Sequence, residues 1–336
     1  MPVTMLDIAR DLDVSVVTVS KVLRNQGRIS AATRERVLRR AKELNYQMNW
    51  VARSLVTRRS YTIGLLLPEF MHSFFAEVAR AVAETVRPCG YHVVTSCFEE
   101  DPALEVSEAD SMLARQVDGL IIASSQPRSC LDLFKRMQQR KVPYVLIDRP
   151  IAGLKACFVG VDNRSIGRMA TEHLIATGCR RIAHLRGPDS DIAEARMAGY
   201  RQALAKKSLC VPAEYVTEGG HRDDNGYEGM RRLLNLTPRP DAVFCFNDPV
   251  AIGAMKAILE AGLKLPEDIS VTGSGNIHYS DVLAVPLTTI DQSSRQIGVV
   301  AANLLMERIG AKRALRAKAV LLPPQLVQRQ STRRQA

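Results

Sequence analysis

The chain has 336 residues, enough for about two domains, and its apolar fraction of 46% can fill a substantial core. The net charge of +11 is uneven: residues 1–60 hold 12 Lys/Arg against 5 Asp/Glu, residues 308–336 hold 8 Lys/Arg and no acid, and residues 61–307 hold 26 basic and 30 acidic side chains. No stretch approaches the roughly 20 apolar residues of a spanning helix, which excludes a membrane-spanning reading.

The start "MPVTMLDIARDL" lacks a charged leader followed by an apolar core, so the chain reads as soluble and cytoplasmic. Seven cysteines, at 89, 97, 130, 157, 179, 210 and 245, form no C-x-x-C pair. Their odd number and wide spacing argue against a disulfide framework and a zinc site, and most are expected to be small core residues. A basic head on a mildly acidic body points to a polyanion partner for the head.

Residues 1–46 read as short helices only. Thr4 caps a first helix reaching Leu12, with Asp7 near the positive end of its dipole. The next segment, "DVSVVTVSKVL" (13–23), has five valines and strand propensity, yet its apolar period is helical: Val19, Val22 and Leu23 share one face. Ser15 is a good cap for a second helix beginning at Val16, and "DLD" (11–13) serves as the connector of a helix-turn-helix. Tertiary packing can override a propensity penalty of a few tenths of a kcal/mol per residue. Ser30 caps a third helix, "AATRERVLRRAKEL", with Val37, Leu38, Ala41 and Leu44 as its apolar face.

From residue 61 onward short apolar runs alternate with amphipathic stretches. The strand candidates are 61–68, 91–97, 118–125, 142–148, 156–162, 181–187, 241–248 and 269–273, with helical patterns such as "FFAEVARAVAETV" and "IGRMATEHLIATG" between them. This alternation implies parallel sheets covered on both faces by helices. About 250 residues is a lot for one open sheet, so two α/β lobes with a cleft between them are expected. Ligands of such sheets bind beyond the carboxyl ends of the strands, which points to "PEFMHSFF", "IDRP", "RGPDSDIAEAR" and "FNDP" as cleft loops.

At this point a resemblance is visible. "VTMLDIARDLDVSVVTVSKVL", "ISAATRERVLRRAKELNY", "VARSL", "IGLLLP", "FFAEV", "VDGLII", "RMAGYRQAL", "FNDPVAIGAM", "LPEDISVTG" and "PLTTID" together resemble the LacI/GalR family of bacterial transcription regulators, in order and over almost the whole chain. The resemblance implies a small all-α helix-turn-helix DNA-binding domain plus an α/β two-lobed effector domain like a type I periplasmic binding protein. It places the DNA-binding domain at 1–46, a hinge helix and linker at 47–60, and the effector-binding and dimerisation domain at 61–330. Lobe crossovers fall near 160–163, 289–292 and 320–324, and 331–336 is read as a disordered tail. Implied partners are roughly palindromic operator DNA, a small-molecule effector and a second copy of the chain, with no cofactor.

By the same resemblance Val16, Val17 and Lys21 read the bases. Valine offers methyl contact or groove fit, lysine a donor to guanine, and the alternative for each valine is packing into the small core. Ser15, Thr18, Ser30 and Thr33 are placed to bond phosphates, and Arg28 and Arg34 to add charge. Thr4, Ser20, Asn49 and Ala52 complete the set assigned to DNA. In the hinge segment 49–56, too short to hold a helix alone, Leu55 is the minor-groove wedge, and Met48 stands where the family usually has proline. The segment is expected to fold on DNA.

The effector positions implied are Phe74, Asp148, Arg196, Asn247 and Gln292, with His72, Ser124 and His221 on flanking loops. Asp248 is assigned instead to capping the helix that starts at Pro249. "TGSGN" (272–276) departs from the family, with Ser274 and Gly275 where an aromatic and an aspartate are common. With a hydroxyl-binding carboxylate missing and Arg196 present, aided by Arg149 and the histidines, a sugar acid is favoured over a neutral hexose. Residues 311–336 show no heptad pattern, so a dimer is expected.

Two rival functions are weaker. "GSGNIH" lacks the third glycine of a dinucleotide fingerprint, and there is no G-K-[ST] or nucleophile–base pair for an enzyme. A periplasmic sugar-binding protein carries an export signal and lacks a basic helical head.

Overall fold

The computed structural model describes residues 3–23, 27–47, 54, 57, 59–127, 130–210, 212–311, 313 and 315–332. Asn49, Ala52 and Leu55, the expected hinge residues, lie outside this set, as does Met48. The chain divides into two compact units, Met1–Ser60 and Tyr61–Ala336.

In the first unit three helices, α1 (Met5–Leu12), α2 (Val16–Leu23) and α3 (Ala31–Glu43), enclose Ile8, Ala9, Val19, Val22, Val37 and Ala41. A capping box starts α1: the Asp7 N–H donates to Thr4 Oγ1 at 3.4 Å, and the Thr4 N–H donates to Asp7 Oδ2 at 2.8 Å. Asp13, at φ 53°, closes α1 in the left-handed conformation that Asp tolerates. The helix therefore runs through Leu12, and the connector is Asp13–Ser15 rather than the expected "DLD". Leu38 is a second correction, since it is 48% exposed. The two eight-residue helices reach only the stripe centred on Val37 and Ala41.

In the second unit each lobe is built on a six-stranded sheet. Lobe 1 uses β1 (Thr62–Leu67), β2 (His92–Cys97), β3 (Gly119–Ile122), β4 (Tyr144–Ile147), β5 (Cys157–Val161) and β11 (Ala319–Leu322), in the order β11-β5-β4-β3-β1-β2. Lobe 2 uses β6 (Ile182–Arg186), β7 (Val216–Glu218), β8 (Ala242–Cys245), β9 (Ser270–Gly275), β10 (Thr288–Asp291) and β12 (Gln325–Val327), in the order β12-β10-β9-β8-β6-β7. Among the described residues all strand pairings are parallel except β10 with β12. The central strands are apolar and buried on both faces, as in Leu120–Ile122 and Ala242–Cys245.

The chain passes between the lobes after β5, after β10 and after β11. Helices α4 (Ser73–Val86), α5 (Pro102–Ala114), α6 (Asp132–Gln139) and α11 (Ser294–Gly310) cover lobe 1. Lobe 2 is covered by α7 (Asn163–Ala176), α8 (Asp191–Lys206), α9 (Asp223–Leu234) and α10 (Asp248–Glu260). Gly167 and Gly199 allow α7 and α8 close contact, since a Cβ on either would strike the other helix's backbone at about 2 Å.

Two further expectations are corrected. Only Cys157, Cys179 and Cys245 are buried, Cys97 is half-buried, and Cys89, Cys130 and Cys210 are exposed in surface turns and loops. The tail is ordered through Thr332. Ser331 and Thr332 are buried in lobe 2, where Ser331 Oγ donates to Val271 O at 2.7 Å and Thr332 Oγ1 lies 2.9 Å from His173 Nε2. Residues 333–336 lie outside the described set.

Candidate functional site

In the helical unit, Ser15 Oγ accepts from the Thr18 N–H at 3.0 Å and so starts α2. Val16 and Val17, in the first turn, are 38% and 60% exposed, whereas Val19 and Val22 are buried. The small core therefore does not take the first two valines, and with exposed Lys21 they remain available to a groove. Ser30 Oγ accepts from the Thr33 N–H at 3.2 Å and starts α3. Thr4 is committed to its capping box, while Arg28 is exposed and Ser20 and Thr33 are half-buried.

In the two-lobed unit a cavity of about 530 Å³ opens between the carboxyl ends of the two sheets. His72, Phe74, Ser124, Asp148, Arg196, His221, Asn247 and Gln292 all line it. Phe74 and Asp148 come from lobe 1, Arg196 and Asn247 from lobe 2, and Gln292 from the crossover after β10.

Arg196 projects from α8 and is 3% exposed. Its Nε donates to Asn163 Oδ1 at 3.0 Å, Nη1 to Ser274 Oγ at 2.8 Å and to Phe246 O, and Nη2 to Gln292 Oε1 at 3.2 Å. The guanidinium also lies 4.6 Å from the centroid of the Phe246 ring. Every one of these partners is neutral, and four of its five N–H groups are used. Burial pushes its pKa down to about 10, against the attraction of Asp148 and Asp248, so it is charged at neutral pH.

Asp148 sits at φ 63°, and the Arg149 N–H donates back to Ile147 O across it at 2.6 Å. This tight turn delivers a buried carboxyl group to the cavity. Its nearest cation is Arg149, with Nε 3.6 Å from Oδ2, and burial raises its pKa. Arg149 itself is committed to Glu100 through two bonds of 2.5 Å and to Ser125 Oγ at 2.8 Å. It is thus a brace, not a spare cation for a ligand. Ser124 donates to Glu105 Oε1 at 2.6 Å, and the Ser125 N–H donates to Glu105 Oε2 at 2.8 Å. Burial raises the pKa of Glu105. No sequence pattern marks Glu100 or Glu105, because their role depends on how α5 meets the loop after β3.

Asn247 of lobe 2 and His72 of lobe 1 meet across the cleft, with Nδ2 3.5 Å from Nε2. His72 Nδ1 accepts from the Phe74 N–H at 3.3 Å, and its pKa is pushed down to about 4 by burial and by Arg196, His221 and Arg149. A neutral imidazole supplies no charge to an anion, contrary to the role expected of His72. Asn247 also donates to His221 O at 2.9 Å.

The helix cap is a correction. Asn247 Oδ1, not Asp248, accepts from the Val250 N–H at 2.9 Å and starts α10. Asp248 is fully buried and accepts from Thr289 Oγ1 at 2.6 Å and from Ser280 Oγ and the Ile277 N–H at 3.0 Å each. Having three tertiary donors within reach, it turns away from its own helix. Among the described residues no group of three His, Cys, Asp or Glu side chains has the arrangement of a metal site.

The family model for bacterial regulatory proteins, lacI family, matches residues 4–49, and one for a periplasmic binding protein-like domain matches 171–332. The ribose operon repressor of Halalkalibacterium halodurans is 35% identical over 331 residues, covering 98% of this chain and 97% of that protein. The chain belongs to the lacI family. The HTH-type transcriptional repressor PurR of Mannheimia succiniciproducens is 34% identical over 333 residues, covering 98% of this chain and 99% of its own. The Lac repressor dimer bound to operator and the anti-inducer ONPF matches with a TM-score of 0.87 at 31% identity, covering 99% and 100% of the two chains. A LacI-family regulator from Enterococcus faecium with bound ribose matches with a TM-score of 0.73 at 26% identity, covering 81% and 98%. This lacI-family chain is a DNA-binding transcriptional repressor, not an enzyme, and no helix among its described residues is long and apolar enough to cross a membrane.

Proposed function

We propose that the repressor binds roughly palindromic operators as a homodimer, and that a sugar acid, rather than a neutral sugar, sets its operator affinity from the cleft. The observation that carries the effector class is Arg196: a buried guanidinium that lines the cavity and is hydrogen-bonded only to neutral acceptors, through four of its five N–H groups. Asp148 and Asp248 attract this cation only at a distance, and a ligand carboxylate supplies a directly bonded counter-charge through a charge-assisted hydrogen bond. Asp148, with no hydrogen-bond donor of its own among the described residues, suits the hydroxyl groups of the same ligand. Phe74 adds an aromatic edge or face for the carbon skeleton.

On DNA, the exposed Val16 and Val17 meet thymine methyl groups or fit the groove, and Lys21 donates to a guanine. Arg28, Ser30 and Thr33 serve the backbone, Leu55 is the minor-groove wedge, and Asn49 and Ala52 belong to the same DNA-binding segment. The ligand bridges Phe74 and Asp148 of lobe 1 to Arg196 and Asn247 of lobe 2. It therefore favours one lobe arrangement and shifts the operator-binding equilibrium.

A thermal-shift panel with D-gluconate, D-galacturonate, D-glucose and D-ribose tests the ligand class. A ligand at 100 times its Kd adds about 2.7 kcal/mol of stability. The expected result is stabilisation by an acid, lost in Arg196→Ala while operator affinity stays nearly intact. Stabilisation by a neutral sugar and by neither acid overturns the assignment.

A further inference from the structure

The segment after the C-terminal strand carries a cation that reaches back into the joint between the lobes. After β11 the chain crosses through Pro323 and Pro324 into β12, which lies antiparallel to β10 with Gln325 opposite Asp291. The second and third crossovers are thus side by side. Arg329 follows β12, and its backbone N–H donates to Thr288 Oγ1 at 2.9 Å. Its Nη1 donates to Leu287 O at 2.8 Å and its Nη2 to Asn276 Oδ1 at 2.7 Å.

Asn276 relays this contact. It stands just after β9 at φ 50°, and its Nδ2 donates to Asp291 Oδ2 at 3.1 Å. The other oxygen, Asp291 Oδ1, accepts from the Ser293 N–H at 2.6 Å. Ser293 is at φ 55° and begins α11 without a side-chain cap of its own. Left-handed backbone at a non-glycine residue persists where the surroundings over-determine it. Here the surroundings are Asp291 on one side and, on the other, the Ser294 hydroxyl bonded to Glu77 on α4 of lobe 1. The line therefore begins just after the last strand of lobe 2 and ends at the first turn of a helix packed on lobe 1.

The same line passes beside the effector cluster. Ser274 lies two residues before Asn276, Gln292 lies between Asp291 and Ser293, and both bond Arg196. We infer that Arg329 is a positioning residue for the inter-lobe joint: it fixes Asn276, and through it Asp291, so that the crossover at 291–293 keeps one register. The inference extends the effector reading by naming what carries lobe movement past the cleft.

Hydrogen–deuterium exchange on the full chain, with no effector added, tests this separately from the choice of ligand. Arg329→Ala removes the source of the line. Asn276→Gly breaks its middle while keeping the positive φ available and leaving the Arg329 contacts to Leu287 and Thr288 in place. Both variants should raise exchange in peptides spanning 290–297 by tenfold or more, with β1, β3 and β4 of lobe 1 unchanged. In Asn276→Gly the protection of 325–332 should persist. Faster exchange confined to 325–332 in Arg329→Ala, or wild-type exchange at 290–297 in Asn276→Gly, overturns the proposal. If Arg329→Ala fails to fold, the glycine variant decides alone.

Discussion

Replacing His184 with Phe should flatten the acid dependence of stability. His184 lies on β6 with its ring 4.6 Å and 5° from Phe244 and 5.2 Å from Tyr200. Its Nδ1–H donates to Phe244 O at 2.9 Å, and its Nε2 is buried with no hydrogen-bond partner among the described residues. Burial, with repulsion from Arg196, Arg186 and Arg201, pushes its pKa from 6.5 down to about 4 despite the hydrogen bond to Phe244. Between those values the unfolded chain binds a proton that the folded site refuses, so stability falls as pH falls. One pKa unit corresponds to about 1.4 kcal/mol, so this residue removes about 2 kcal/mol between pH 7 and 5 and about 3 kcal/mol below pH 4. His72 and His173, also lowered, act in the same sense. Buried Asp148, Asp248 and Glu105, raised by burial, act in the opposite sense. All of these remain in both proteins and cancel in the comparison. Urea unfolding of wild type and His184→Phe at pH 7 and pH 5 should therefore differ by about 2 kcal/mol in their loss of stability. Parallel losses would refute the reasoning that an unsatisfied neutral imidazole is what the fold protects.

Lys21→Ala should cost about 1–3 kcal/mol of operator affinity and relax specificity at one base pair, measured by binding to a panel of singly substituted operators. A uniform loss across the panel would make Lys21 a phosphate contact instead. Asp248→Ala leaves the Thr289 and Ser280 hydroxyls and the Ile277 N–H without their buried acceptor, and should destabilise by about 3 kcal/mol or more. Asp248→Asn, which keeps one acceptor oxygen, should cost clearly less in the same urea titration.

The parts of the fold readable in the sequence are those where one physical signal dominates. "GLII" and "AVFC" are buried on both faces and read directly as strands, and Thr4, Ser15 and Ser30 mark helix starts by their caps. The valines of α2 were legible because period outweighed propensity. No comparable signal marks β7, β10, β11 or β12 in the sequence. β10 is the polar "TTID", buried because the Thr289 hydroxyl meets Asp248 and the Thr288 hydroxyl meets the tail. β11 and β12 are edge strands with half their side chains in solvent. Asp248 misled for a related reason: capping is local, but its three partners lie 29 to 41 residues away. In the cleft the eight effector positions expected from the sequence do line the cavity, but the commitments of Arg149 to Glu100 and of Ser124 to Glu105 are not legible there. Those pairs join segments far apart in the chain, and only the assembled sheet of lobe 1 brings them together.

The account is tested most directly by titrating D-gluconate and D-galacturonate into a complex of the full chain with its own upstream DNA, followed by fluorescence anisotropy. Coupling energies of about 1–3 kcal/mol correspond to roughly 5–150-fold in affinity. The account predicts a shift of that size with at least one acid, absent in Arg196→Ala. An operator affinity that neither acid changes, while D-glucose or D-ribose shifts it, would contradict the assignment of the cleft.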